Sequence, residues 1–379
     1  MPSWIKILEE QVSESPPRIF RKDAVELYRN ADLNDLVYVA NERRRLLLPG
    51  NTVTYLVDRN INYTNVCTIN CHFCSFYRPP GHSETYTQTF EQISARVAEL
   101  EEIGGTRILM QGGVNPDLGL DWYVDILMRL RERHPSIDLD CFSPIEIEGI
   151  AKIVGISTLE VLTKLSEAGL HGLPGGGAEM LVDDVRRGVS PQKGSSDNWI
   201  RVMGEAQSIG LVTSATNVIG LGESFDNRVE HLERIRRLQD DSTNAGYPGF
   251  TSFISWPVML ENNSLGRGNQ GTNRYTLGAS AIEYLRHVAI SRIYLDNILH
   301  IQASWPTMGM DVAQMALFAG ADDAGSTMME ENVVSASGTS KTEATIEELE
   351  TMIASAGFVP AQRDSEYNMV ARMGIPTNQ

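Results

Sequence analysis

Cysteine is scarce in this chain, with four among 379 residues. So few cannot staple a chain of this length into a disulfide framework, which points to a reducing compartment and to thiol chemistry confined to one place. Positive charge is also short: 32 Lys and Arg stand against 49 Asp and Glu, a formal net charge of −17. Such a surface repels phosphate backbones, so nucleic acid is not an expected partner. No apolar run approaches the roughly 18 residues of a membrane helix, and the opening MPSWIKILEE lacks the basic, then apolar, then small-residue order of a secretory leader. A cytoplasmic location without a membrane partner is the expectation. Proline is sparse (16), no low-complexity linker divides the chain, and 42% of its residues are hydrophobic, enough for a packed, enzyme-sized body.

What the chain does have is a rhythm. Short apolar, β-branched segments end near 54–60, 107–113, 138–144, 169–177, 212–220, 250–256, 300–307 and 319–327. Helical periodicity fills the intervals, as in FEQISARVAELEEIG (90–104) and NRVEHLERIRRLQDD (227–241). Thr89 with Gln92 and Ser157 with Glu160 have capping-box spacing, and Gly104 and Gly169 stand where helices stop. Alternating strand and helix predicts a parallel sheet, and eight units predict its closure into an α/β fold of the (β/α)8 TIM-barrel type, with an open doubly wound sheet as the alternative. Residues 1–52 read as an N-terminal helical extension, 53–330 as the barrel and 331–379 as a C-terminal helix and tail packed on it. Barrel chemistry gathers at the C-terminal ends of strands. The unusual residues fall there: QGG (111–113), SPIE (143–146), GGGAE (175–179), GLGE (220–223) and QASW (302–305).

Three of the four cysteines, Cys67, Cys71 and Cys74, crowd into CTINCHFC after the first strand, spaced C-x3-C-x2-C. A structural zinc site normally closes with four protein ligands, and His72, adjacent to Cys71, is poorly placed to share a tetrahedron with it. A cubane iron–sulfur cluster held by three thiolates instead leaves one iron open to another ligand. A metal centre used only for stability or sensing needs no more than the cysteines, but leaves the glycines and polar residues at the other strand ends without a purpose. Cys141 reads as a small buried hydrophobe, and His171, His231, His287 and His300 as isolated packing or surface residues.

The cysteine motif resembles that of the radical SAM superfamily. The resemblance implies a [4Fe-4S] cluster on Cys67, Cys71 and Cys74, with S-adenosylmethionine (SAM) on the open iron cleaved to a 5'-deoxyadenosyl radical. It also implies a small-molecule substrate and an electron donor such as flavodoxin or ferredoxin. Phe73 is implied to pack near the adenine, and Gln111, Gly112 and Gly113 to meet the methionyl group, with a tight strand-to-helix turn as the alternative for the glycines. Tyr77, Arg78 and Ser143 are further cofactor candidates, Arg78 either pairing with a carboxylate or bracing the loop. Glu179 is a candidate acceptor for ribose hydroxyls, or simply a partner for an arginine.

Longer stretches, among them VTYLVDRNINYTNVC (53–67), PGGGAEML (174–181), QASW (302–305) and TMMEENVVSASG (327–338), look like the cyclic dehypoxanthine futalosine synthases of menaquinone biosynthesis. Aminofutalosine synthases and the tyrosine-utilising subunit of F0 synthase share the framework as sister families. The resemblance implies that the radical takes the C4' hydrogen of the substrate's sugar. The sugar radical then adds to an attached benzoate ring, and loss of an electron and a proton restores aromaticity. Asn115, Leu221, Trp305 and Thr327 become candidate substrate contacts. Glu330, Glu331 and Asn332 become the catalytic candidates, one glutamate taking the final proton; acidic residues starting a helix explain the glutamates equally.

Four segments on the expected rim depart from the family pattern. The usual GG-L-H-P is Gly112-Gly113-Val114-Asn115-Pro116, and G-H-x-E-T is Gly220-Leu221-Gly222-Glu223-Ser224. S-P-P-E reads Ser143-Pro144-Ile145-Glu146, and P-W-x-x-Q-P reads SWPVMLE (255–261). Amide for imidazole loses a titratable group, and isobutyl loses the hydrogen bond as well. Either the same substrate tolerates these changes, or a different aromatic or nucleoside-like substrate is used.

Overall fold

The computed structural model describes residues 2–268, 277–339 and 341–370, so the end of the expected tail, 371–379, lies outside the described residues. The strands in chain order are β1 (Thr52–Leu56), β2 (Asp58–Ile61), β3 (Arg107–Met110), β4 (Asp138–Cys141) and β5 (Gly172–Leu173), followed by β6 (Val212–Ile219), β7 (Phe250–Pro257), β8 (His300–Gln302), β9 (Asp323–Ser326) and β10 (Val359–Arg363). They form one sheet in the order β10-β1-β9-β8-β7-β6-β5-β4-β3-β2, and every neighbouring pair is parallel. β1 and β2 are one extended stretch broken only at Val57, and that stretch serves both ends of the sheet. β1 pairs with β9, while β2 pairs with β3. The seam continues where Thr327 donates to the Leu56 carbonyl (3.0 Å) and Asn60 to the Met329 carbonyl (2.9 Å). The sheet is thus curled round on itself with helices in the crossovers, as the alternation predicts.

The local signals behave as expected. Thr89 and Ser157 close capping boxes on helices Phe90–Glu102 and Thr158–Glu167, and Gly104 (φ 74°) and Gly169 (φ 111°) make left-handed exits. Residues 359–363 differ from the expected tail. They form β10, in register with β1, and Gln362 donates to the Gly104 carbonyl ahead of β3 (3.0 Å). VPAQR carries a proline and one β-branched residue, so it has no strand signature of its own and is a strand by virtue of its partner.

The N-terminal helices Arg21–Asn30 and Leu33–Leu47 pack on helices Phe225–Asn244 and Ala281–Tyr294, and Ser3–Gln11 packs on those two N-terminal helices. Tyr28 stacks on Phe225 (5.1 Å) and meets His287 Nδ1 (2.5 Å), whose Nε2 faces Asn217 of β6. Burial holds His287 well below its ordinary pKa, so a neutral ring bridges the extension to the barrel wall.

The segment after β10 closes the floor of the barrel. Buried Arg363 pairs with buried Asp323 (2.5 Å), and the Tyr367 ring lies against both His300 (3.7 Å) and the Arg363 guanidinium (3.9 Å). Arg107 pairs with buried Asp58 and reaches Asp140 (3.7 Å), which also meets His171 (3.0 Å). His171 and His300 are therefore paired rather than isolated, His300 with Asp322 (2.6 Å). Burial pulls the His171 pKa down, but the bond to Asp140 and the charges of Asp138 and Glu366 outweigh it and lift it to about 9. Above this floor Ser214, Thr216, Thr251 and Ser252 line the interior where a filled barrel would place branched aliphatics, and a cavity results.

Candidate active site

The cysteine loop runs on from β2 and is fixed by backbone contacts. Cys67 donates to the Arg78 carbonyl (2.9 Å), Arg78 to that of Asn65 (2.7 Å), and Cys74 to that of Cys71 (3.2 Å). The His72 main chain docks on Val189 (2.8 Å) and Leu265 (2.8 Å). Arg78 braces the loop: its guanidinium spans the carbonyls of Ser75, Phe76 and Tyr77 and pairs with Glu84 (2.6 Å). The Tyr77 hydroxyl bonds Asn70 inside the same loop.

All three thiols are partly exposed. Among the described residues no three His, Cys, Asp or Glu side chains converge as ligands of a single metal ion. Burial raises the pKa of Cys67, and that of Cys74 to about 11, and the neighbouring thiols add to both shifts. Main-chain amides work the other way, those of Ile69 and Val114 on Cys67 and those of Phe76 and Tyr77 on Cys74. Three clustered cysteines, two of them with sulfurs served by amides and costly to ionise, fit a polynuclear iron centre that supplies the missing positive charge.

The β3 loop lies directly on this one. Gly113 donates to the Thr64 carbonyl (3.1 Å), and a Cβ there would drive into the Val66 carbonyl and Cys67. A Cβ on Gly112 would stand 2.7 Å from the Tyr63 ring. The glycines are thus required by loop-on-loop packing. Gly112 N–H (3.0 Å), the Tyr63 hydroxyl (2.7 Å) and the Ser143 hydroxyl (2.7 Å) all donate to the buried carboxylate of Glu146. Burial pushes Glu146 up to about 7 against the pull of those bonds. Ser143 itself caps helix Pro144–Val154, and Gln111 holds the Phe142 carbonyl (2.8 Å).

The cavity has a volume of about 330 Å3, within the roughly 300–1,000 Å3 of a small-ligand site. Phe73, Gln111, Gly175–Gly177, Glu179, Trp256, Gln302, Trp305 and Glu331 line it. Glu179, at φ 40°, is bound by Lys193 (2.6 Å) with Arg186 at 3.7 Å. Lys193 also lies 5.4 Å from the centre of the Phe73 ring. Burial disfavours its charge, yet Cys71 and Glu179 outweigh that and raise its pKa.

The remaining candidates separate. Trp305 faces the cavity and donates to the Ser326 carbonyl (2.9 Å). Thr327 is buried in the β2–β9 seam, donating to the Asp58 carbonyl (2.7 Å). Glu330 pairs with Arg59 (2.8 Å) and Arg96 (3.0 Å) and, with Asn332, lines an outer groove instead of the cavity. Glu331 lines the cavity, its carboxylate capping Val333, Val334 and Ser335 (2.8–3.2 Å), and burial raises its pKa. Asn115 points to Thr64 and Thr87 (3.4 and 3.3 Å), and Leu221 and Val258 join an apolar cluster with Met180 and Val189. Ile145 fills the space over Gly177. None of those four positions is on the cavity wall. The sequence reading passed over Lys193, Asn60 and Asn62. Lys193 arrives from a loop by tertiary folding alone, whereas the alternation in DRNIN (58–62) was a usable sign that the two asparagines share one face.

A model of the radical SAM superfamily matches residues 61–235, and one of the CofH/MqnC C-terminal region matches 244–374. The chain is 43% identical over 364 residues to a cyclic dehypoxanthine futalosine synthase of Halalkalibacterium halodurans, covering 96% of this chain and 94% of that one. It is 39% identical over 334 residues to a 5-amino-6-(D-ribitylamino)uracil--L-tyrosine 4-hydroxyphenyl transferase of Archaeoglobus fulgidus, covering 88% and 92%. The fold is similar to that of methylornithine synthase (PylB), with TM-score 0.70, 18% identity and coverage of 94% and 97%.

Proposed function

The chain belongs to the radical SAM superfamily and to its CofH/MqnC branch, and from that membership we propose that it cyclises dehypoxanthine futalosine on the route to menaquinone. The observation that carries this reading is 43% identity sustained over 94% of the Halalkalibacterium enzyme of that name. Cys67, Cys71 and Cys74 would hold three irons of a [4Fe-4S] cluster, which with SAM on the fourth iron supplies a 5'-deoxyadenosyl radical when both are bound. Phe73, Gln111 and Gly175–Gly177 wall the upper cavity for SAM, with Glu179 as acceptor for its ribose hydroxyls. Lys193 sets a buried positive charge beside Cys71 and Glu179. Trp256 and Trp305 give the cavity apolar walls, and the sealed floor keeps water from a reactive carbon centre.

The net reaction closes one ring as the substrate loses two hydrogens, one as an atom from the sugar and one as a proton with its electron passing to an acceptor. Glu331 is the carboxylate of the catalytic candidates that faces the cavity, and its raised pKa is in the direction a proton acceptor needs. A flavodoxin or ferredoxin would serve as electron donor. The departures at Asn115, Ile145 and Leu221 bear on packing behind the wall, whereas the segment 255–261 places Trp256 on it.

A second reading, 4-hydroxyphenyl transfer from tyrosine, has the Archaeoglobus relative behind it. One assay separates the two: reconstituted protein under anaerobic conditions with SAM, a strong reductant and either dehypoxanthine futalosine or tyrosine. Substrate-dependent 5'-deoxyadenosine with a product lighter by two hydrogens supports cyclisation. The same burst with tyrosine alone would replace it by the second reading.

A further inference from the structure

Most hydrogen-bonding groups buried in the barrel are paired, and among the exceptions two side-chain carbonyls face the cavity together on one strand. Asn60 and Asn62 are 6% and 7% exposed, both line the cavity, and the side-chain oxygen of each has no partner among the described residues. The Asn62 amide nitrogen donates to the Gln111 carbonyl (3.2 Å), which turns its oxygen away from that partner. Leaving a buried carbonyl oxygen empty is costly, so such an atom is normally filled by a ligand or an ordered water.

The two asparagines occupy different layers. Asn62 lies at the level of Gln111, where the cofactor wall begins. Asn60, on the same face, is two residues deeper, about 7 Å further from the mouth at ~3.3 Å per residue. It is level with Leu109, its neighbour across the β2–β3 pair. The charged floor of Asp58 and Arg107 follows one more layer down. Asn60 therefore sits in the chamber between cofactor wall and floor, with an acceptor and nothing on the protein to fill it.

We propose that Asn60 is a specificity-determining residue, its side-chain carbonyl accepting a hydrogen bond from a hydroxyl on the sugar-derived part of the substrate. This rests on the reading that the substrate is dehypoxanthine futalosine. The alternative source of such a hydroxyl, the ribose of SAM, belongs to the layer above.

The test is the affinity of reconstituted protein for dehypoxanthine futalosine, for analogues lacking one sugar hydroxyl, and for SAM, each measured by calorimetry on wild type and on Asn60→Leu, which keeps the volume and removes the acceptor. Loss of one neutral hydrogen bond should weaken substrate binding roughly fivefold to tenfold and leave SAM binding and iron content unchanged, which also shows that the variant is folded. One deoxy analogue should bind wild type more weakly by the same factor, and Asn60→Leu should not tell it from the parent. If Asn60→Leu binds the substrate as wild type does, or loses SAM instead, the proposal is overturned while the cyclase reading stands. If wild type binds no dehypoxanthine futalosine at all, both fall together.

Discussion

The two ends of the barrel hold their shape by opposite means. At the mouth, the cysteine loop and the β3 loop touch through main chain, with glycines at 112 and 113 because no side chain fits between them. At the floor, contact is made by buried charge, Arg363 to Asp323 and Arg107 to Asp58 and Asp140. A mouth built of backbone leaves its sulfurs free to serve a ligand, with Lys193 held beside them by Glu179. A floor built of ion pairs uses up its charged groups on one another, and each pair becomes costly to break from one side. Chemistry and stability are therefore expected to respond to substitution at opposite ends.

The cysteines give the largest expected effect. Replacing Cys67, Cys71 or Cys74 by alanine should abolish both the iron–sulfur absorbance and SAM cleavage, with a melting temperature close to wild type because the thiols are only partly buried. Anaerobic visible spectra and a thermal melt check both halves. At the other end, Arg363→Met strands the buried Asp323 carboxylate, and urea unfolding should show a loss of about 3–5 kcal/mol. Gly113→Ala should cost less in stability, about 1–3 kcal/mol for an overpacked contact, but should lower the iron bound per chain because the added carbon pushes on Val66 and Cys67. Lys193→Met removes a buried charge from beside Glu179 and should weaken SAM binding by about tenfold, read by calorimetry, with little change in iron content.

The smallest effect concerns pH. His171 has a folded pKa of about 9 against an ordinary 6.5, so its stabilisation is present in full below pH 6.5 and fades as pH rises through 9. Solvent screening reduces the benefit to about 1 kcal/mol. Unfolding of wild type and His171→Gln should differ by that amount at pH 6 and converge above pH 10. If a floor variant removed SAM cleavage with its stability intact, the division between the two ends would fail.

Much of this was legible in the chain itself. The strand–helix alternation, the capping residues at 89 and 157 and the C-x3-C-x2-C spacing are local patterns, and local patterns survive in a sequence. Glu330 and Thr327 show the limit: both follow β9, yet one turns outward to Arg59 and Arg96 and the other into the seam, a difference of side-chain direction that no motif encodes. Asn115 and Leu221 looked like rim residues because of the histidines they replace, but their neighbours are Thr64 and an apolar cluster. β10 was invisible because it takes its meaning from β1, far away in the chain, and Lys193 because only the folding of its loop turns it onto Glu179.

The strand pair that serves both ends of the sheet also sets an order of events. Leu56 must find Thr327, which is 327 − 56 = 271 residues downstream, so the barrel's seam is among its most distant contacts and its closure a slow one. Cys67 stands only 67 − 61 = 6 residues beyond the end of β2. The loop that receives the iron is therefore anchored to a strand that gains β3 on one side early and its seam partner on the other side late, and a chain interrupted before β9 would carry its three cysteines at an open edge of the sheet.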